Sequence, residues 1–198
     1  MNSLQSIEPG FAHETDDSQL CFRAAMKALS RPGLAVPLPS NLRIIEGASP
    51  TAAALLLALV DQDTSVYLSE SRAGSSLRSW LKFHTDCRLT VDRRRADFAW
   101  IGSAKELSRI DGFRGGDDYE PQSSTTIVIE TSSLDTRGGW RLTGPGINGA
   151  AALSVPGLGQ DFVSQWATQR DRFPEGVDLL FVADDVVVGL PRTTRIEY

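Results

Sequence analysis

Nonpolar residues recur along the chain with helical spacing in some segments and with strand spacing in others. Between positions 16 and 30 they form two rows three or four residues apart, which predicts a mostly buried helix with Asp16 or Asp17 as its N-cap. The segment 51–60 is nonpolar all round and follows Ser49-Pro50, an N-cap followed by proline at the first helical position. We therefore expect a second, fully buried helix there.

The remaining elements follow from the same two periods. The predicted helices share a nonpolar face and lie at 16–30, 51–60, 72–84, 103–110 and 159–170. The predicted strands are short nonpolar or β-branched runs at 34–38, 65–69, 97–102, 125–131, 140–143, 178–183 and 186–190, with a last edge segment at 193–197. Asp184-Asp185 joins two of these runs, which predicts a hairpin.

Strands alternate with helices through most of the chain, and a hairpin closes it. This order predicts an α/β fold: a three-layer α/β/α sandwich around a mixed sheet. Residues 1–15 contain Pro9-Gly10 and are expected to form an extended N-terminal arm. Residues 16–198 then form a single domain, because their length suits one hydrophobic core.

Composition narrows the class of protein. The chain has 20 basic and 25 acidic residues, a net charge of -5 and a pI of about 5.1, which argues against a nucleic-acid-binding protein. The nonpolar run from Ala52 to Val60 is too short to span a membrane. Cys21 and Cys87 are widely spaced and are expected to be reduced thiols of a cytoplasmic protein.

A glycine-rich segment, Gly144-Pro145-Gly146-Ile147-Asn148-Gly149, matches the spacing G-x-G-x-x-G. A dinucleotide site requires a helix directly after it, and Pro156 leaves room for only about two helical turns. We therefore exclude a dinucleotide site. Two interpretations stay open: a structural turn that uses glycine freedom, or an anion site formed with Arg141 and Thr143.

Three further groups are candidates for chemistry. Residues 192–195 place guanidiniums and hydroxyls at a strand end, where they suit either anion binding or protection of an exposed edge. His84 lies on the nonpolar face of its helix and is either a structural histidine or a proton donor. Asp61 and Asp63 are expected to lie in a solvated loop, so we predict no metal site.

Several segments together resemble one family. They are 22–33, 59–64 (LVDQDT), 81–85 (LKFHT), 141–147 (RLTGPGI), 173–179 and 190–194. Their order and combined length are similar to those of the PhnH family, the H subunit of the bacterial carbon–phosphorus lyase core complex. The resemblance extends from about residue 17 to the end of the chain.

The resemblance implies a reduced relative of the large domain of pyridoxal-phosphate-dependent transferases and a homodimer when isolated. It also implies action with G, I and J partner subunits and an ATPase-like L protein. That assembly joins methylphosphonate to the ribose C1 of ATP and releases adenine, giving ribose 1-methylphosphonate 5-triphosphate. The base-displacing chemistry is implied for the I partner.

Two hypotheses about this chain follow. The first is an assembly subunit of a transferase and lyase system, with no catalytic residues of its own and inactive when isolated. The second is a substrate-handling subunit that contacts phosphonate or Mg-ATP through Arg141, Thr143, Gly144, Gly146, Arg192, Thr193 and His84. An unrelated small α/β transferase is the alternative if the resemblance is accidental. We predict no cofactor, because no lysine among Lys27, Lys82 and Lys105 has an identifiable pyridoxal phosphate pocket.

Overall fold

The nonpolar segments of the sequence form four α-helices and ten β-strands in the part of the chain that the structure describes. The structure is a computed structural model that describes residues 7–43, 47–107 and 109–197. The helices are α1 Glu14–Ser30, α2 Pro50–Leu59, α3 Ser75–Thr85 and α4 Gln160–Arg170. The strands are β1 Val36–Pro37, β2 Ser65–Leu68, β3 Arg88–Thr90, β4 Phe98–Ile101, β5 Thr126–Glu130, β6 Asp135–Thr143, β7 Ala151–Ser154, β8 Asp178–Ala183, β9 Val186–Leu190 and β10 Arg195–Glu197.

Seven strands form one mixed sheet in the order β1-β9-β8-β5-β4-β2-β3. The pairs from β8 through β5, β4 and β2 to β3 are parallel, and β9 and β1 join the other edge antiparallel. Helical crossovers between parallel strands cover both faces of such a sheet, which is why its central strands are almost wholly nonpolar.

The side chains of the central strands alternate between two hydrophobic cores. In β5, Ile127 and Ile129 enter one core and Val128 enters the other. Helices α1, α2 and α3 cover the face that holds Val128, and α4 covers the opposite face together with a small second sheet. The predicted α/β sandwich with a mixed sheet is confirmed, and one of its outer layers contains strands as well as a helix.

The second sheet was not predicted. It has the antiparallel order β10-β6-β7, and β6 is longer than the predicted run 140–143 because it begins at Asp135. Strand β7 was assigned to no element, and the predicted edge segment 193–197 is β10 of this sheet. Strand β3 of the main sheet was also missed.

The strongest local signals are confirmed. The Ser49 side chain accepts a hydrogen bond from the Ala52 N–H at 3.2 Å, and Pro50 occupies the first turn of α2. Strands β8 and β9 form the predicted antiparallel hairpin, and Asp184 adopts the positive φ of 47° that the tight turn needs.

Helix α1 differs from its prediction in two ways. It begins at Glu14, and the N–H of His13 donates to the Asp17 carboxylate at 2.9 Å, so Asp17 caps the first turn from inside the helix. The helix is also less buried than expected, because Phe22 and Met26 are 50% and 45% exposed. These two side chains therefore face away from the core of this chain.

The predicted helix at 103–110 is wrong over its described residues. Only Ala104–Glu106 is helical, as one 3₁₀ turn that Ser103 caps through a bond from the Lys105 N–H. Ser108 lies outside the described residues. No helix in the described part of the chain is long and nonpolar enough to cross a membrane.

Candidate functional site

The glycine-rich segment closes the hairpin between β6 and β7. A strand therefore follows it, and not the helix that a dinucleotide site requires. Gly146 has a φ of +82°, and a Cβ built on it would lie 2.1 Å from the Ser30 carbonyl oxygen at the end of α1. Gly144, with a φ of +133°, approaches the Thr193 carbonyl in the same way. Both glycines therefore permit close backbone packing.

Arg141 and Thr143 project from β6 toward the neighbouring strand β10. Both contact the carboxylate of Glu197: the Arg141 guanidinium forms an ion pair, and the Thr143 hydroxyl donates at 3.3 Å. The side chains of Arg141 and Glu197 are 55% and 48% exposed. An ion pair this exposed contributes little stability.

Arg192 is held much more firmly. Its side chain is only 12% exposed, and its Nη2 lies 2.5 Å from an oxygen of the Asp178 carboxylate. The Nε donates to the other Asp178 oxygen at 3.2 Å, and Nη1 donates to the Pro121 carbonyl at 2.7 Å. The Ser124 hydroxyl accepts a further bond from Nη2. This guanidinium ties the loop before β5 to the start of β8.

Thr193 follows Arg192 and lies beside the glycine turn through its backbone carbonyl. The structure therefore brings five of the predicted binding residues, Arg141, Thr143, Gly144, Gly146 and Thr193, to one end of the small sheet. Arg192 adjoins this group in sequence, but its side chain turns inward. Binding of a phosphonate by this group stays a prediction.

His84 lies apart from that group, at the end of α3. Its Nε2 donates to the Glu8 carbonyl at 2.9 Å, and the indole N–H of Trp80 donates to the same oxygen at 3.0 Å. The imidazole packs edge-on against Trp80 and Phe83. His84 therefore attaches the N-terminal arm to α3.

Ligands of open α/β sheets usually bind beyond the carboxyl ends of the parallel strands. In this chain a buried ion pair occupies that edge: Arg72 bonds both oxygens of Glu130 at 2.8 Å, and the Trp100 indole N–H donates to Glu130 at 2.7 Å. Nearby, partial burial alone would raise the pKa of Glu106, but hydrogen bonds from Ser71 and a neighbouring serine lower that pKa below its usual value.

A metal or a pyridoxal phosphate would each need a particular set of side chains. The described residues contain no cluster of three or more histidine, cysteine, aspartate or glutamate side chains placed to hold a metal ion. Asp61 accepts a bond from the Asp63 N–H in its own loop. Lys27, Lys82 and Lys105 are all exposed, so the lysines of this chain do not fit a Schiff-base site in a pocket.

Comparison with known proteins agrees with the resemblance. Residues 9–197 match the family model described as "Bacterial phosphonate metabolism protein (PhnH)". The chain belongs to the PhnH family. The match covers all but the first eight residues and the last one, so the PhnH family accounts for every helix and strand described above.

Two relatives give the biochemical setting of the PhnH family. The "Alpha-D-ribose 1-methylphosphonate 5-triphosphate synthase subunit PhnH" of Rhizobium meliloti (strain 1021) is 34% identical over 200 residues, which cover 100% of this chain and 99% of the relative. The "Putative C-P lyase subunit protein HtxG" of Stutzerimonas stutzeri is 30% identical over 178 residues, or 90% of this chain and 85% of the relative. Both are named as subunits.

Sequence reasoning missed the partners of its candidate residues. Asp178, Ser124 and the Pro121 carbonyl hold Arg192, and Glu197 holds Arg141 and Thr143. The acceptors are distant in sequence, and the Pro121 and Ser124 groups belong to a loop without a recognisable motif. The second contact follows from the register of β10 with β6, which sets Glu197 opposite Arg141 and has no local signal in the sequence.

Proposed function

We propose that this chain is the H-type subunit of a complex that makes ribose 1-methylphosphonate 5-triphosphate from methylphosphonate and ATP, with release of adenine. In that complex it acts as an assembly subunit without an active site of its own. The observation that carries this proposal is the relative named as such a subunit, which aligns with 100% of this chain and 99% of its own length.

The internal bonding of the chain supports the assembly role. The Arg192 guanidinium and the Arg72–Glu130 pair are both buried and bonded within the chain, so they hold segments together. The carboxylate of Glu130 is already bonded by Arg72 and Trp100, which leaves it poorly suited to accept a proton from a substrate.

We further propose that the partners are the G, I and J subunits, that the isolated chain forms a homodimer, and that the complex is cytoplasmic. Exposed nonpolar side chains on α1, Phe22 and Met26, support contact with another protein surface. Buried reduced thiols at Cys21 and Cys87 suit a reducing compartment.

Co-expression with the partner subunits of the same bacterium tests the proposal. We expect the tagged chain to co-purify with them, and we expect adenine release from ATP and methylphosphonate only when the partners are present. The control is the partner set without this chain. Release of adenine by the isolated chain at the rate of the full complex would contradict the assembly role, and failure to co-purify would contradict the subunit role.

The exposed Arg141–Glu197 pair favours a second function, direct contact with the phosphonate or with Mg-ATP. A ligand anion could replace Glu197 at little cost, and Thr143, Gly144, Gly146 and Thr193 adjoin the same place. Titration with methylphosphonate and Mg-ATP, repeated with Arg141→Ala and Arg192→Ala, tests this function. Equal affinity of the wild type and both variants would exclude it.

A further inference from the structure

A cleft with a volume of about 410 Å³ lies at the amino ends of the parallel strands, far from the usual ligand-binding edge. Its walls come from the segments that precede β4, β5 and β8 and from the last turns of α4. The volume is within the range of small-molecule sites in proteins. None of the candidate residues discussed above lines this cleft.

The side chains of the cleft are mainly cationic. Arg94, Arg109, Arg114 and Arg172 line it, and the carboxylates that line it are Asp111 and Glu175. The whole chain carries a net charge of -5, whereas these lining groups sum to a positive charge. A concave surface that concentrates positive charge on an acidic protein attracts anions to one place.

The arginines at the rim are available to a ligand. Arg94 is exposed and forms no ion pair within the described residues. Arg109 and Arg172 pair with Asp111 and Glu175, but the two guanidinium side chains are 67% and 65% exposed. Such pairs contribute little, so either arginine can turn to a bound anion without a large loss of stability.

Arg114 lies deeper and is only partly satisfied. Its Nη2 pairs with Asp97, whereas its Nε is buried and has no hydrogen-bond partner among the described residues. A buried N–H without an acceptor is costly. A ligand in the cleft could satisfy it only after the Arg114 side chain turns, because solvent does not reach the Nε. The unpartnered donor therefore adds to the positive charge of the cleft but does not itself mark the position of a ligand.

The floor of the cleft is rigid. Gln169 bonds both backbone groups of Val177, at 2.9 Å and 3.1 Å, and Gln165 accepts from the Ile110 N–H at 2.9 Å. Ile110 and Val177 are 2% and 1% exposed. Arginines therefore surround a hydrogen-bonded, partly nonpolar base, and a largely nonpolar surface with a few polar groups is typical of ligand sites.

We propose that this cleft binds an anion that carries a chain of phosphoryl or phosphonyl groups, such as a triphosphate ester. Because the four guanidiniums come from three separate segments, several phosphoryl groups can contact more of them than one can. The proposal extends the proposed function. The choice of a triphosphate ester as the ligand rests on that function, whereas the assignment of the cleft as an anion site does not. The group around Arg141 at the end of the small sheet has no part in it.

Calorimetric titration of the full-length chain at low ionic strength tests the cleft. The probes are inorganic tripolyphosphate, ATP, methylphosphonate and adenosine. We expect tripolyphosphate and ATP to bind with a Kd of about 1 mM or lower, with affinity that falls as salt is added. Adenosine is expected not to bind. Binding of adenosine as tightly as ATP, or no binding of tripolyphosphate, would overturn the proposal.

Variants locate the binding. Arg94→Gln and Arg109→Ala are each expected to weaken tripolyphosphate binding about tenfold or more, because each removes a charge-assisted contact. The matched control is Arg137→Ala, which removes an arginine that is 94% exposed on β6 and lies outside the cleft. Circular dichroism checks that each variant is folded. We expect all of them to fold, because the substituted side chains are exposed. Unchanged affinity in both cleft variants, or an equal loss in Arg137→Ala, would contradict the assignment.

The two proposals fail separately. Loss of tripolyphosphate binding by the cleft variants does not depend on partner subunits, and co-purification with partners does not depend on the cleft. A chain that joins the complex but does not bind tripolyphosphate would exclude only the cleft. A chain that binds tripolyphosphate but joins no complex would exclude only the subunit role.

Discussion

Replacing Arg192 with methionine keeps most of the side chain's volume and removes the guanidinium. The change leaves the Asp178 carboxylate, which is 19% exposed, without its ion pair, and it also removes the bonds to Pro121 and Ser124. Breaking a buried pair by removing one partner costs about 3 to 5 kcal/mol. Because a domain is stable by only about 5 to 15 kcal/mol, we expect a large loss.

Urea unfolding followed by circular dichroism measures this loss, together with thermal melting. For a chain of this size, about 1 kcal/mol lowers Tm by about 2 to 4 °C, so the expected decrease is about 6 to 20 °C. The matched control is Arg141→Met, whose exposed pair with Glu197 is expected to contribute less than about 1 kcal/mol.

A double variant, Arg192→Met with Asp178→Leu, separates the pair from its surroundings. We expect it to be less destabilised than the sum of the two single variants, because no buried charge is left alone. The reasoning is refuted if Arg192→Met unfolds with nearly wild-type stability and has lost affinity for methylphosphonate. Arg192 would then be a ligand-binding residue and not a structural one.

Three other perturbations have definite expected outcomes. Gly146→Ala should destabilise the chain by more than about 1 kcal/mol in urea unfolding, because the new Cβ would meet a carbonyl oxygen of α1 at 2.1 Å. The control is Gly149→Ala, since Gly149 has a similar positive φ and no atom within 4 Å of the added Cβ. Equal effects of the two substitutions would exclude the packing argument. Burial, and to a smaller extent a nearby carboxylate, raises the pKa of the Cys21 thiol to about 11, and burial also raises the pKa of the Cys87 thiol. Neither thiol should therefore react with a thiol reagent at pH 8 until urea is added. Partial burial tends to raise the pKa of Asp97, but hydrogen bonds from a serine and the charge of an arginine lower this pKa below its usual value. The stabilisation by the Asp97 carboxylate is therefore present at neutral pH and is lost as pH falls through the lowered pKa. Asp97→Asn should flatten the acid side of a plot of stability against pH, and an unchanged acid side would contradict this.

Local signals in the sequence were sufficient for the main sheet and its helices. The Ser49-Pro50 start of α2 and the paired nonpolar runs of β8 and β9 are each determined by residues close together in the chain. The alternation of strands and helices then gives the sandwich, because few topologies connect such elements without crossing. The fold class was therefore predictable from the sequence.

The second sheet was not predictable by the same means. Strand β6 begins with exposed residues and contains Gly138-Gly139, which lowers its strand propensity. Its partner β10 lies more than fifty residues later, and a short exposed strand has little nonpolar signal of its own. Pairing across that distance depends on the folded core and not on local preference.

The candidate sites were likewise predictable only in part. The sequence identified Arg192 and Arg141 as cations at strand ends, but it could not separate the buried one from the exposed one. Their difference arises from acceptors such as the Pro121 carbonyl, which carries no sequence signal. On α1, nonpolar spacing predicted burial for Phe22 and Met26, because the pattern does not distinguish a core from another surface that can be covered.

The attachment of the N-terminal arm to α3 has a consequence for truncated forms of the chain. A carbonyl oxygen can only accept, so the imidazole of His84 donates to Glu8 from Nε2. The Trp80 indole donates to the same oxygen. Removing the residues up to Glu8 would therefore leave two donors of α3 without their common acceptor, and a truncated chain should lose stability in this helix as well as the arm itself.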